Sequence, residues 1–459
     1  MIKRLLINAS CKVILLFSLS CTSGQQKKEQ VFINSKVYPE VHCTSDTSLT
    51  YALFLPPQYE KEKSCPVFIL FDPHGDGMLP VNLFSTEAAK SGFILAGSNN
   101  SKNGMDYPQT TGFYRNMLAD LKNRFNIEKK AIYVGGFSGG SRVAASIAFG
   151  EGGVAGVVGC GAGLNNSNSK PTSKFSYLGV VGSEDFNYSE LLQLDEILDY
   201  AGYQHHLLVF EGIHQWPVKD VIPDIFTWLR FDEMRQKVIP ANRAEINLFI
   251  ENNDKIATSW SAQGNFLQQQ QTYIKMVHYL QELTDIVPLQ SEIKRLEGEK
   301  KVISAKRDQK KIVELEKELQ NRYSTELQLQ NIEWWTKEAK KLHILTKKPL
   351  NPEINQVYKR LLGYLSLDCY MISSNELKKG NLKVAERFIE IYRLVDPTNA
   401  EHRYLAAKVA AKNNNSDSVF VALNQAFELG FNNIQRLQSD PDFKPYLSDQ
   451  RFKKLISGQ

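Results

Sequence analysis

The chain has 459 residues, too many for one ordinary domain and enough for two or three. With 42% hydrophobic and 23% charged residues it has the composition of a folded globular protein rather than a disordered one. The net charge of +5 is small for this length, and lysine and arginine are interspersed with glutamate, so charge gives no case for a nucleic-acid partner.

Residues 1–20 read as a targeting segment. Lys3, Arg4 and Lys12 make a positive start, Val13 to Leu19 a short apolar stretch, and Ser20 is a small residue before Cys21. The apolar stretch is too short to cross a bilayer. Phe17-Ser18-Leu19-Ser20-Cys21 resembles a loose bacterial lipobox with Ser18 where leucine is usual. Cleavage there would leave Cys21 as a lipidated N-terminus. The expectation is an exported protein anchored by lipid to the bacterial cell envelope, periplasmic or outer-membrane, with plain secretion as the alternative. Residues 21–36 then form a polar tether. Of the six cysteines, Cys43, Cys65, Cys160 and Cys369 remain for the folded part. Their spacing matches no zinc or redox pair, so no metal site is expected. Cys43 and Cys65 flank two adjacent expected strands, where an exported protein permits a disulfide; buried free thiols fit equally well.

From Val37 the pattern is that of an α/β domain, spanning residues 37–231. Val37 to Cys43 and Thr50 to Leu55 read as strands, and Cys65 to Phe71 is a continuous apolar run expected of an inner strand buried on both faces. It ends in the glycine loop Asp72-Pro73-His74-Gly75-Asp76-Gly77. Phe93 to Gly97 reads as a strand and Gly112 to Phe125 as a helix. Ala131 to Ala148 combines a β-branched strand, the turn Gly136-Phe137-Ser138-Gly139-Gly140 and a helix with apolar Val143, Ala144, Ile147 and Ala148. Val154 to Cys160 and Tyr177 to Val181 are further strands, Tyr188 to Tyr200 an amphipathic helix, His206 to Phe210 a strand, and Pro217 to Arg230 a closing helix. Such alternation implies a mostly parallel sheet covered on both faces.

Past Phe231 the composition shifts to Glu, Lys, Gln and Leu. Residues 240–365 are expected to be helical, with one or two long helices over Ile293 to Leu329, where Ile312, Leu315, Leu319 and Tyr323 make the apolar face. Residues 370–459 resemble a tetratricopeptide array. Gly380 ends a turn, Ala385 is the small packing position, Asp396-Pro397 closes a unit, and Val421 to Phe452 resembles a terminal unit. A protein partner held by these repeats is the implied role.

Gly136-Phe137-Ser138-Gly139-Gly140 fits the nucleophile elbow G-x-S-x-G, in which a strained serine stands clear of the sheet at the start of a helix. Ser138 then needs a base, an orienting acid and an oxyanion hole. His214 follows the last strand and precedes the last helix, where a loop can carry an imidazole over the serine; His205 and His206 begin the strand and read as structural. Asp185, at the end of the strand Tyr177 to Val181, is the candidate acid, with Glu184 its rival and helix capping the bland alternative. Gly139 supplies one backbone N–H to the oxyanion, and Gly75 or Asp76 the second. Asp72 and Asp76 near an oxyanion hole oppose negative charge and have no account beyond turn chemistry.

With these residues in order, the chain resembles the α/β-hydrolase superfamily. Tyr51 to Tyr59, Pro66 to Gly75 and Gly212 to Pro217 are similar to segments of secreted esterases of the polyhydroxybutyrate-depolymerase and feruloyl-esterase type. The resemblance implies a Ser138, Asp185 and His214 triad, an ester substrate, small or polymeric, and no cofactor. Two readings compete with it: a serine peptidase of the same fold, and an inactive scaffold that recruits a partner through its helices. No insertion long enough for a lid interrupts the α/β segment, so the expectation is either a shallow pocket or one covered by the C-terminal helices.

Overall fold

Runs of β-branched and aromatic residues broken by glycine loops give eight strands: β1 (Val37–His42), β2 (Thr50–Phe54), β3 (Cys65–Phe71), β4 (Ile94–Ser98), β5 (Ile127–Phe137), β6 (Gly156–Cys160), β7 (Ser176–Gly182) and β8 (His205–Phe210). In the computed structural model, which describes residues 31–164, 172–348 and 351–457, they form one sheet in the order β1-β2-β4-β3-β5-β6-β7-β8. β1 and β2 pair antiparallel and β2 meets β4 antiparallel; every pairing from β4 to β8 is parallel. This topology is that of the α/β-hydrolase fold. The targeting segment, Cys21, most of the tether and the Lys170-Pro171 connection lie outside the described residues.

The parallel register aligns the strand ends. Phe71 lies opposite Gly136, Phe137 opposite Cys160, and Gly182 opposite Phe210. Side chains one to six residues beyond these ends therefore meet at one edge, where ligands of open parallel sheets bind. Ser138, Asp185, His214 and the loop 72–77 all belong to that set.

The helices of the sheet half are α1 (Met78–Ser91), α2 (Tyr107–Arg124), α3 (Gly139–Gly150), α4 (Tyr188–Tyr200) and α5 (Ile222–Arg235). α1 is an element the sequence reading lacks. Its Pro80 falls in the first turn, where a missing N–H costs no intrahelical bond. α2 begins five residues before the expected Gly112, because Asp106 and Gln109 form a reciprocal capping box with Pro108 in the first turn. α5 starts at Ile222 rather than Pro217, leaving Pro217 in the loop. Cys43 and Cys65 are free buried thiols, not a disulfide; Cys65 donates its Sγ–H to the Gly92 carbonyl at 3.1 Å.

Residues 243–345 contain five helices, α6 (Arg243–Ala262), α7 (Phe266–Leu280), α8 (Val287–Glu297), α9 (Lys300–Leu329) and α10 (Ile332–Leu345), of which the end of α8 and the whole of α9 cover Ile293 to Leu329. α11 (Pro352–Lys379) runs unbroken through the expected boundary near residue 370, and α12 (Leu382–Val395), α13 (Glu401–Lys412), α14 (Ser416–Glu428), α15 (Ile434–Ser439) and α16 (Gln450–Ser457) follow. Gly380 caps α11 with φ 80°, the left-handed conformation that glycine adopts without strain. Two apolar cores result. The first joins the sheet to α5, α6 and α7 through Phe226, Trp228, Phe231, Phe249 and Tyr279; the second runs from Tyr323 to Phe452 within α9–α16. The sheet core thus extends past Phe231, where composition placed its end.

Candidate active site

The site begins with the turn between β5 and α3. Ser138 has φ 53° and ψ −118°, a positive φ that only a strongly constrained non-glycine residue keeps. Three features constrain it. Its N–H donates to the Cys160 carbonyl at 2.8 Å; a Cβ on Gly136 would press into the Gly140 backbone and the Phe71 carbonyl, and one on Gly140 into Phe71. Only glycine at both positions lets α3 leave so close to β3. Gly139 is the first residue of α3, so its N–H has no acceptor within the helix and points out at the positive end of the helix dipole.

His214 arrives from the β8–α5 loop and Asp185 from the β7–α4 loop. His214 Nε2 stands 3.0 Å from Ser138 Oγ, and Nδ1 stands 2.9 Å from both Asp185 carboxylate oxygens. Asp185 is fully buried, while 19% of the His214 side chain is exposed. Both loops are tied together: Ser183 N–H donates to the Phe210 carbonyl and Glu184 N–H to the Gly212 carbonyl, each at 2.8 Å. Gly182 is glycine because a Cβ there would strike the Gly212 and Ile213 carbonyls as the histidine loop crosses. Asp185 also accepts the Asn187 N–H at 2.8 Å in the turn before α4, while the N-cap residue Asn187 makes no side-chain cap bond, so this carboxylate steadies its own loop rather than capping the helix. Glu184, the rival acid, turns instead to Lys359. His205 and His206 lie away from this edge, packed with His278 of α7.

The imidazole is clamped between aromatic rings, with Phe186 at 4.1 Å and Phe137 at 4.6 Å between centroids. Trp216 lies 5.6 Å beyond Phe137 and donates its Nε1–H to buried Asp72 at 3.0 Å. This gives Asp72 a role the sequence did not reveal: it ties the histidine loop to the end of β3. Burial alone would raise its carboxyl pKa, but hydrogen bonds from His74 and Trp216 outweigh burial and hold it below the usual carboxylate range. The same carboxylate, 3.4 Å from His74, raises the His74 imidazole pKa. The signal in the sequence was a carboxylate placed directly after a fully buried strand, where it must find donors.

The loop 72–77 corrects one expectation. Gly75 N–H donates to the Asp72 carbonyl at 3.1 Å within a turn, so it is not a free oxyanion donor. Asp76 caps α1 by accepting the Leu79 N–H at 3.1 Å, which explains its carboxylate. The Asp76 N–H has no hydrogen-bond partner among the described residues.

The helical region lies over this edge. Arg436 and Glu401, a bidentate pair at 2.6 and 2.9 Å, are close enough for their charges to act on His74. Nearer the acid, α11 meets the β7–α4 loop through Arg360 and Lys359.

No family model matches the sequence, and no curated protein matches it. Solved structures do. An S-formylglutathione hydrolase from Staphylococcus aureus is 15% identical with a TM-score of 0.35 over 42% of this chain and 98% of its own. An esterase from Pyrobaculum calidifontis is 14% identical with a TM-score of 0.35 over 43% of this chain and 86% of its own. A feruloyl esterase module from Clostridium thermocellum, complexed with sinapinate, is 15% identical with a TM-score of 0.35 over 42% and 87%.

Proposed function

We propose that this protein is a serine hydrolase that cleaves carboxylic esters by acyl transfer. Ser138 attacks the carbonyl carbon and His214 takes its proton through Nε2. Asp185 fixes the imidazole tautomer and stabilises the imidazolium, which then protonates the leaving alcohol; water, deprotonated by His214, releases the acid. The oxyanion rests on the N–H groups of Gly139 and Asp76, each worth about 3 kcal/mol of barrier lowering. The observation that carries the reading is the unbroken relay from Ser138 Oγ through His214 to buried Asp185, at 3.0 and 2.9 Å, on a serine held at positive φ. The Arg436–Glu401 pair and the polar His74 beside the site suit a polar substrate such as an acylated carbohydrate better than a long-chain lipid.

The reading extends to export with a lipid at Cys21, supported by the order of charge and apolar residues before it. It also extends to tetratricopeptide-type packing of α11–α14, supported by their succession as packed neighbours, with the pocket lined by Glu386, Arg393, Arg403 and Asn413 as the place for a protein partner.

A fluorophosphonate probe tests the catalytic reading. Labelling mapped to Ser138 and absent from Ser138→Ala is expected, followed by turnover of short p-nitrophenyl esters in preference to dipeptide amides. No labelling of the folded protein would favour the inactive scaffold; preference for amides would favour the peptidase.

A further inference from the structure

Asp185 sits in a short loop whose neighbours on both sides are held by a helix from the other half of the molecule. Arg360 of α11 donates from Nη1 to the Ser183 carbonyl at 2.7 Å. Lys359 Nζ reaches Glu184 Oε1 at 2.6 Å. At Gly363 the α11 backbone passes so near Phe186 that a Cβ would sit 3.3 Å from its ring, the same ring that lies over His214. The Arg360 guanidinium also covers Tyr188 at 4.6 Å. Residues 183, 184, 186 and 188 therefore all touch α11, while Asp185 between them faces the imidazole.

Arg360 is itself fixed. Its Nε and Nη2 grip the Glu316 carboxylate of α9 at 2.9 and 2.6 Å, and 2% of Arg360 and none of Glu316 is exposed. A guanidinium can hold a carboxylate with one edge and donate to a carbonyl with the remaining nitrogen; an ammonium offers no such planar fork. Docking two halves of a protein needs no buried ion pair, because apolar surface does this without desolvating two charges. The pair is aimed at one backbone carbonyl two residues before the acid. Placement matters there, since a misplacement of about 1 Å in a catalytic constellation costs on the order of 100-fold in rate.

We infer that Arg360, oriented by Glu316, is a positioning residue that fixes the Asp185 loop, so that the helical region is an integral part of the catalytic apparatus. This rests on the serine-hydrolase reading. Removing only Arg360 strands a buried carboxylate and endangers the fold, so two other variants are used in the full-length protein. Arg360→Lys keeps a positive charge for Glu316 but cannot also hold Ser183; Arg360→Met with Glu316→Leu replaces the pair by apolar volume.

For whichever of these melts cooperatively near the wild-type temperature, kcat on a p-nitrophenyl ester is expected to fall about 10- to 100-fold with KM within about twofold. A far-downfield proton resonance from the His214 Nδ1–H bonded to Asp185 is expected in the wild type, and in these variants it is expected to broaden or vanish. A folded double variant with wild-type kcat and an unchanged resonance would overturn the inference. Phosphonylation separates the two levels: equal labelling rates at Ser138 in wild type and variants remove only the positioning role, whereas turnover that survives Ser138→Ala removes the hydrolase reading itself.

Discussion

The two apolar cores are built differently from the surface at which their halves meet. The sheet core stacks aromatic rings across α1, β3, α5 and α7, with Phe68, Phe84, Phe226 and, just before β4, Phe93 about one ring apart and Tyr279 closing it from the helical side. The second core nests small against large residues along α11–α14, with Ala385, Ala407 and Ala426 fully buried among Phe388, Tyr392 and Tyr404. Where α11 meets the catalytic edge, the contacts are instead an ion pair, a carbonyl bond and a glycine laid on a ring. Burial within each half supplies stability, and directional bonds between the halves supply register. A composition boundary near Phe231 therefore does not mark an energetic one.

The comparison is sharpest where chemistry and stability separate. Ser138→Ala is expected to lower kcat by 10⁴ or more, about 5 kcal/mol of barrier, while leaving thermal unfolding of both cores almost unchanged; steady-state kinetics beside calorimetry checks this. Tyr279→Ala should do the reverse. Its ring is fully buried between Trp228 and Phe249, and its loss should cost about 3–5 kcal/mol in urea unfolding, with activity falling only as the folded fraction falls.

A pH effect belongs to the sheet core. Burial, reinforced by the charge of His205, pushes the His278 imidazole pKa down from 6.5 to about 4. His206, 3.2 Å from it, is lowered by burial and by His278. The unfolded chain binds a proton at His278 near pH 6.5 that the folded protein refuses until about pH 4. Its contribution is thus complete above that range and declines as pH falls, by up to about 3 kcal/mol. Urea unfolding at about pH 7 and pH 5 should show the decline, and His278→Gln should flatten it. The smallest effect is expected at the strut between loops. Asp72→Asn keeps an acceptor for Trp216 but loses its charge, and should cost about 1 kcal/mol in stability, with kcat reduced less than tenfold.

The sheet half was legible because its punctuation is local. Cys65 to Phe71 and Tyr188 to Tyr200 read with their observed limits, since Pro73 follows close on the first and Gly202, at φ 68°, on the second. Ser138, Asp185 and His214 could be placed by order alone, because each follows a strand end and the parallel register brings those ends level. Gly75 misled because a glycine loop does not reveal which of its N–H groups its own turn consumes. Cys43 and Cys65 flank strands that are not neighbours in the sheet, so chain proximity suggested a pairing that the order β2-β4-β3 separates. In the helical half, Glu and Lys fill exposed positions without marking where one helix stops. The fork of Arg360 was not visible at all, because its partners Glu316 and Ser183 lie far off in the chain and nothing in their local pattern points to one another.

The proposed mechanism puts the acyl group on Ser138 during turnover. Mass spectrometry of enzyme acid-quenched while hydrolysing a p-nitrophenyl ester tests it most directly. A peptide containing Ser138, heavier by one acyl group and decaying as substrate is exhausted, is the expected result. Sustained hydrolysis with no acylated Ser138 at any time, and undiminished in Ser138→Ala, would contradict it.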